Sequence, residues 1–126
     1  MSLEENKEFN CILVAGNKSS NQEDYSIISY SLEELSSLAY TLGLNVEDKV
    51  ILNLKKINPS TFYGKGQIES LGKKASAIDC SYIVFNDEVS PSQFKNIQKT
   101  ISKQKVFDRT GIILEIFKNN AKTKES

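Results

Sequence analysis

Apolar residues in this chain come as short continuous runs that alternate with longer amphipathic stretches. Cys11-Ile12-Leu13-Val14-Ala15 is apolar throughout, the mark of a strand covered on both faces. Gly16-Asn17 stops it, and the polar residues 17–26 predict a loop. From Ser31 the period changes. Leu32, Leu35, Ala39 and Leu42 share one helical face, Ser31 and Glu34 have the spacing of a capping box, and Gly43 is placed to end the helix. Residues 46–54 are β-branched and partly alternating, a second strand broken by Asn58-Pro59-Ser60.

The second helix is predicted over 67–78, with Ile68, Leu71, Ala75 and Ile78 on its inner face. Tyr82-Ile83-Val84-Phe85 is the third strand. Ser90-Pro91-Ser92-Gln93 spells a helix start, with Ser as cap, Pro first and Gln third. Phe94, Ile97 and Ile101 give that helix its buried stripe. Lys105-Val106-Phe107 is a short fourth strand. Ile112, Ile113, Ile116 and Phe117 mark a last helix, and Lys118, Lys122 and Lys124 suit its carboxyl end.

Strand and helix thus alternate four times. Such alternation predicts an α/β fold of one domain, about four mostly parallel strands with helices on both faces. Its span is 10–126, behind a frayed leader at 1–9. A length of 126 residues fits a single domain. The last helix is still patterned where the chain stops, as expected of a cut through a longer protein.

Charge and composition narrow the function. Lys plus Arg and Asp plus Glu are both 16, so the net charge is zero, unlike a strongly basic nucleic-acid module. A local basic patch on a neutral body stays open. There is no histidine, and Cys11 and Cys80 are the only cysteines, so one chain cannot build a Cys/His zinc site. Both cysteines adjoin apolar runs and read as reduced, buried thiols. No run approaches the ~18 apolar residues of a membrane span, and the acidic, polar start is unlike a signal peptide. A cytoplasmic protein is expected.

In an open α/β sheet, ligands bind beyond the carboxyl ends of the strands. Gly16-Asn17, Gly64-Lys65-Gly66, Asn86-Asp87-Glu88 and Asp108-Arg109-Thr110 all fall there. Gly64, Lys65, Gly66 and Gln67 open a helix, where exposed amides and a lysine favour an anion; a tight turn before a helix is the plainer reading. Arg109 can grip a phosphate or pair with Asp87 or Glu88. Asp108 sits where an N-cap belongs, and Asp87, Asp108 and Thr110 are placed to order the site. Phe62 and Tyr63 can stack on bases or pack at the loop base. No catalytic or metal-binding residue is assigned. No P-loop is present: Gly66 and Gly72 have five residues between them rather than four, and Lys74 stands where Ser or Thr belongs.

Three ordered segments carry a resemblance. They are Pro59-Ser60-Thr61-Phe62-Tyr63-Gly64-Lys65-Gly66-Gln67-Ile68-Glu69, then Val84-Phe85-Asn86-Asp87-Glu88-Val89-Ser90-Pro91-Ser92-Gln93-Phe94-Lys95-Asn96, then Val106-Phe107-Asp108-Arg109-Thr110 with Ile113-Leu114-Glu115-Ile116-Phe117. Together they resemble the amino-terminal domain of the HflX family of ribosome-associated GTPases, well over about residues 44–126 and by pattern alone before that. Gln67 and Asn120 stand where the family usually has Lys and Arg. The resemblance implies that this domain binds ribosomal RNA of the large subunit. It implies a parent protein that splits or rescues ribosomes and carries GTP and Mg in a GTPase domain beyond this chain. It also leaves open ATP binding here, or a structural role orienting the GTPase domain. Exposed apolar residues of the last helix, Ile112, Ile116 or Phe117, would then favour a homodimer.

Overall fold

The computed structural model describes residues 9–18 and 22–125, with side chains described for 9–18 and 25–119. Apart from Phe9, the expected leader lies outside the described residues, as do the side chains of Lys122 and Lys124. Among the described residues the elements are β1 (Asn10–Asn17), α1 (Gln22–Leu42), β2 (Asn45–Asn53), α2 (Lys65–Ala77), β3 (Tyr82–Phe85), α3 (Pro91–Thr100), β4 (Lys105–Phe107) and α4 (Arg109–Glu125). The sheet order is β2-β1-β3-β4, and every pairing is parallel.

Two cores follow from the alternation of side chains along β1. Ile12 and Val14 face α2 and α3, joining Ile68, Leu71, Phe85 and Ile97. Cys11, Leu13 and Ala15 face α1 and α4, joining Leu35, Ala39, Val84 and Ile112. Both faces of β1 are covered, which explains its unbroken apolar run. β2 lies at the edge and is only half-buried. Two of its charges are paired, Lys49 to Glu33 and Asp48 to Lys74, each at 2.5 Å. Charged side chains of this kind blunt an edge strand against further pairing. The register shifts between Cys11 and Ile12, leaving Glu47 as the extra residue of a bulge.

Local signals account for most boundaries. Gly43 has φ +96°, its N–H bonds Tyr40 O and the Leu44 N–H bonds Ala39 O, both at 2.9 Å. These are the paired bonds of a Schellman ending. Ser90 Oγ accepts from Gln93 N at 3.1 Å while Gln93 Oε1 accepts from Ser90 N at 2.9 Å, a complete capping box.

Three expectations need correction. α1 begins at Gln22, inside the stretch 17–26 expected to be a loop, so Ser31 is mid-helix and caps nothing. Its hydroxyl instead meets Asn86, at the carboxyl end of β3. In the turns before Ser31, Ile28 is half-buried against the core while Tyr25, Ile27 and Tyr30 are exposed, so no regular apolar stripe announces them. Ile78 is exposed, because α2 ends one residue before it. In α4, Ile112 is buried rather than exposed, while Ile113, Leu114 and Phe117 reach solvent.

Candidate functional site

Strand ends and helix starts meet at one rim, as the parallel sheet requires. Strand order reverses between β1 and β3, the place where doubly wound sheets open a ligand crevice. Here that crevice is filled. Asp87 Oδ2 accepts from the Gly16 N–H at 2.7 Å and from the Tyr63 hydroxyl at 2.9 Å. Tyr63 is fully buried, with ring centroids 4.8 Å from both Phe85 and Phe62. Burial first, and then the Asp87 charge, hold its hydroxyl protonated well above the usual phenol range. A Cβ on Gly16 would sit 2.8 Å from Leu54 Cδ1 and 3.3 Å from Asp87 Oδ2, so any side chain there would force Leu54 to move.

The loop before α2 aims Tyr63 inward. Phe62 has φ +65°, and the Tyr63 N–H reaches back to Thr61 O at 2.6 Å. That is a γ-turn in its strained form, centred on a bulky residue that rarely adopts it. Its surroundings over-determine it. Asn58 and Phe62 exchange backbone bonds at 3.0 and 2.7 Å, Thr61 Oγ1 donates to Tyr63 O at 2.7 Å, and Asn96 Nδ2 holds Ser60 O at 2.9 Å. Of the two readings of Phe62 and Tyr63, packing is the one the burial supports.

Gly64 is the N-cap of α2 and has no side chain to offer the first amides. Gln67 Oε1 accepts from Gly64 N at 3.0 Å, and its Nε2 donates to Asn53 O at 3.0 Å. Gln67 is thus committed to joining α2 to the end of β2. Lys65 differs: it is exposed and forms no ion pair among the described residues. A Cβ on Gly66 would meet nothing within 4 Å. The start of α2 therefore offers uncapped amides, a free ammonium and open space.

The start of α4 is built differently. Asp108 caps it, accepting from Gly111 N at 2.7 Å. Arg109 Nη1 donates to Asn86 Oδ1 at 2.5 Å and to Ser31 Oγ at 3.3 Å, while Nη2 lies 3.7 Å from Glu34 Oε2. Asn86 Nδ2 also donates to Ser31 Oγ at 3.0 Å. Of the two readings of Arg109, the pairing with Asp87 or Glu88 does not form: Asp87 turns toward β1, and the carboxylate that Arg109 faces is Glu34. Thr110 is exposed, and its hydroxyl has no partner among the described residues. The structure thus brings Lys65 and Arg109 to the same rim but to opposite faces, Lys65 over α2 and Arg109 over α1 and α4. The sequence reading missed the Ser31–Asn86–Arg109 hub and the Gly16–Asp87–Tyr63 plug.

Other chemistries find little support. Cys11 and Cys80 are free and buried. Burial, and then the charge of the other thiol, pushes Cys11 up to about 12; burial, with Glu47 next, pushes Cys80 up to about 11. Among the described residues, no group of three or more His, Cys, Asp or Glu could hold a metal, and no helix is long and apolar enough to cross a membrane. Residues 66–74 are continuous helix rather than a phosphate-cradling loop, and Lys74 pairs with Asp48.

The fold and rim define a doubly wound α/β domain whose switch-point crevice is closed by its own side chains. The family described as "GTP-binding GTPase N-terminal" matches residues 29–118, and the chain belongs to that family. Its relatives include GTPase HflX of Lacrimispora saccharolytica, 43% identical over 75% of this chain and 22% of that protein. GTPase HflX of Flavobacterium psychrophilum is 38% identical over 98% of this chain and 29% of its own length. That of Escherichia coli is 31% identical over 75% and 22%. The chain thus spans under a third of these relatives. The crystal structure of the SsGBP and GDP complex shares the fold, with a TM-score of 0.62 at 18% identity over 86% of this chain and 28% of that one.

Proposed function

We propose that this domain binds ribosomal RNA of the large subunit as the amino-terminal part of an HflX-type GTPase that splits or rescues ribosomes in the cytoplasm. It performs no GTP hydrolysis itself; GTP and Mg belong to the GTPase domain of the longer protein, which is also its partner within the chain. The observation that carries the RNA contact is the start of α2. There Lys65 is exposed and unpaired beside amides that Gly64 leaves uncapped. An RNA phosphate fits such a junction.

An ATP-binding role has less support, because Tyr63 and Asp87 occupy the crevice where a nucleotide would lie in this fold class. A structural role has one observation in its favour: Leu114 and Phe117 on α4 are 55% and 66% exposed. The test is co-sedimentation with purified large ribosomal subunits across a salt series. Pelleting at low salt that fades as salt rises is expected. A folded chain that stays in the supernatant at low salt removes the proposal.

A further inference from the structure

The four lysines of one half of the rim come from three separate segments. Lys18 follows β1, Lys55 and Lys56 follow β2, and Lys65 opens α2. The Leu54 N–H bonds Asn17 O at 2.8 Å, which joins the first two segments. Gln67 bonds Asn53 O at 3.0 Å, which joins the third. All four lysines are exposed, and none forms an ion pair among the described residues. Lys18 Nζ stands 5.5 Å from the centroid of the Phe62 ring, in the loop that the strained turn fixes.

Among the described side chains, Glu34, Glu88 and Asp108 belong to the α1, β3 and β4 half of the rim. Asp87 also follows β3, but its carboxylate turns toward β1, where the Gly16 N–H and the Tyr63 hydroxyl engage it. Glu69 lies further along α2, on the groove shared with the α3–β4 connection. The neutral chain thus carries a rim of divided charge. Other unpaired lysines cluster at the opposite end of the molecule. Lys99 lies in the last turn of α3, where helix carbonyls offset its charge, and Lys73 and Lys103 line the groove between α2 and the α3–β4 connection. The rim lysines have no such compensation.

We infer that the β1–β2–α2 half of the rim, through Lys18, Lys55, Lys56 and Lys65, is the surface that lies along an RNA phosphate backbone, and that Arg109 takes no part in it. The occupant is a polyanion with evenly spaced charges, which four ammonium groups from three loops suit better than one small anion. This rests on the RNA-binding reading above and adds to it where the strand lies. Arg109 is spent on Asn86, Ser31 and Glu34.

The test measures binding of an oligouridylate of about 20 nucleotides, and of large ribosomal subunits, against salt. It compares the parent chain, a quadruple variant (Lys18→Gln, Lys55→Gln, Lys56→Gln, Lys65→Gln) and a control (Lys73→Gln, Lys99→Gln, Lys103→Gln). Unchanged thermal midpoints establish that all three fold. Each lost single-strand phosphate contact lowers the slope of log K against log salt by about 0.7. The quadruple variant is expected to lose up to about 3 in slope, and the control none. If the control loses as much slope as the quadruple variant, or the quadruple variant keeps the parent slope, the assignment falls while the RNA-binding reading stands. If the parent chain binds neither probe at low salt, both fall.

Discussion

Arg109 and Lys65 are the two cations that the sequence places at strand-to-helix junctions, and the fold treats them oppositely. Arg109 donates to Asn86 and Ser31 and faces Glu34, tying α1, β3 and α4 together. Lys65 stands in water without a partner. The difference lies in what each junction already contains. α4 begins with a carboxylate cap that answers the Gly111 amide, and its first basic side chain turns to neighbouring elements. α2 begins with glycine, so its first amides and its lysine remain available. A basic residue near a helix start is therefore not by itself a binding group; the cap beside it decides.

The strongest way to break that picture is to remove the residue that separates the two corners. Asp87→Ala leaves the buried Tyr63 hydroxyl and the Gly16 N–H without acceptors. Each orphan costs about 1–3 kcal/mol, so a loss near ~3 kcal/mol is expected in urea unfolding. Asp87→Asn keeps one acceptor oxygen and should lose less than half of that. Equal losses would show that the carboxylate plug is not what holds the rim.

Next in size is the contrast between the cations themselves. Arg109→Ala removes charge-assisted bonds and should cost about 1–2 kcal/mol, softened because Ser31 and Asn86 still bond each other. Lys65→Ala should change stability by less than about 0.5 kcal/mol. In ribosome pelleting the order reverses, with Lys65→Ala the weaker binder at fixed salt. An Arg109 variant that folds normally yet loses binding would place the contact on the other face.

Cys11 supplies a pH test of the core between these corners. Its thiol is raised from the ordinary 9.0 to about 12 in the folded chain. A raised value means the stabilising difference is complete below about pH 9. Above that, the unfolded thiol ionises while the folded one does not, so stability falls as pH climbs toward 12. A Cys11→Ala variant should lose this part of the alkaline decline. In the parent chain at pH 8, a thiol reagent should label Cys11 only upon unfolding.

Much of this was legible beforehand, and the failures have physical reasons. Tyr82–Phe85 and Lys105–Phe107 are found where the apolar runs predicted strands, because both are covered on two faces. The box at Ser90 works because Pro91 and Gln93 leave one way to start a helix. Ser31 and Glu34 have the same spacing and fail, since nothing local reveals that helix already precedes them. The rim itself followed from strand alternation. Its internal pairings did not, because Ser31 and Arg109 lie 78 residues apart, and no local pattern says which polar groups will consume one another.

The smallest expected effect has the opposite sign. Gly66 is helical, and a methyl group there meets nothing within 4 Å. Gly66→Ala should therefore stabilise the chain by about 0.5–1 kcal/mol, since alanine loses less backbone entropy on folding. If the glycine serves only the turn into α2, binding to large subunits is unchanged or improved. If it keeps the first turn bare so that an RNA backbone can approach Lys65, the more stable protein binds more weakly. Stability and affinity moving in opposite directions at one exposed methyl group would mark the α2 corner as a surface shaped for contact, which no variant at Arg109 can show.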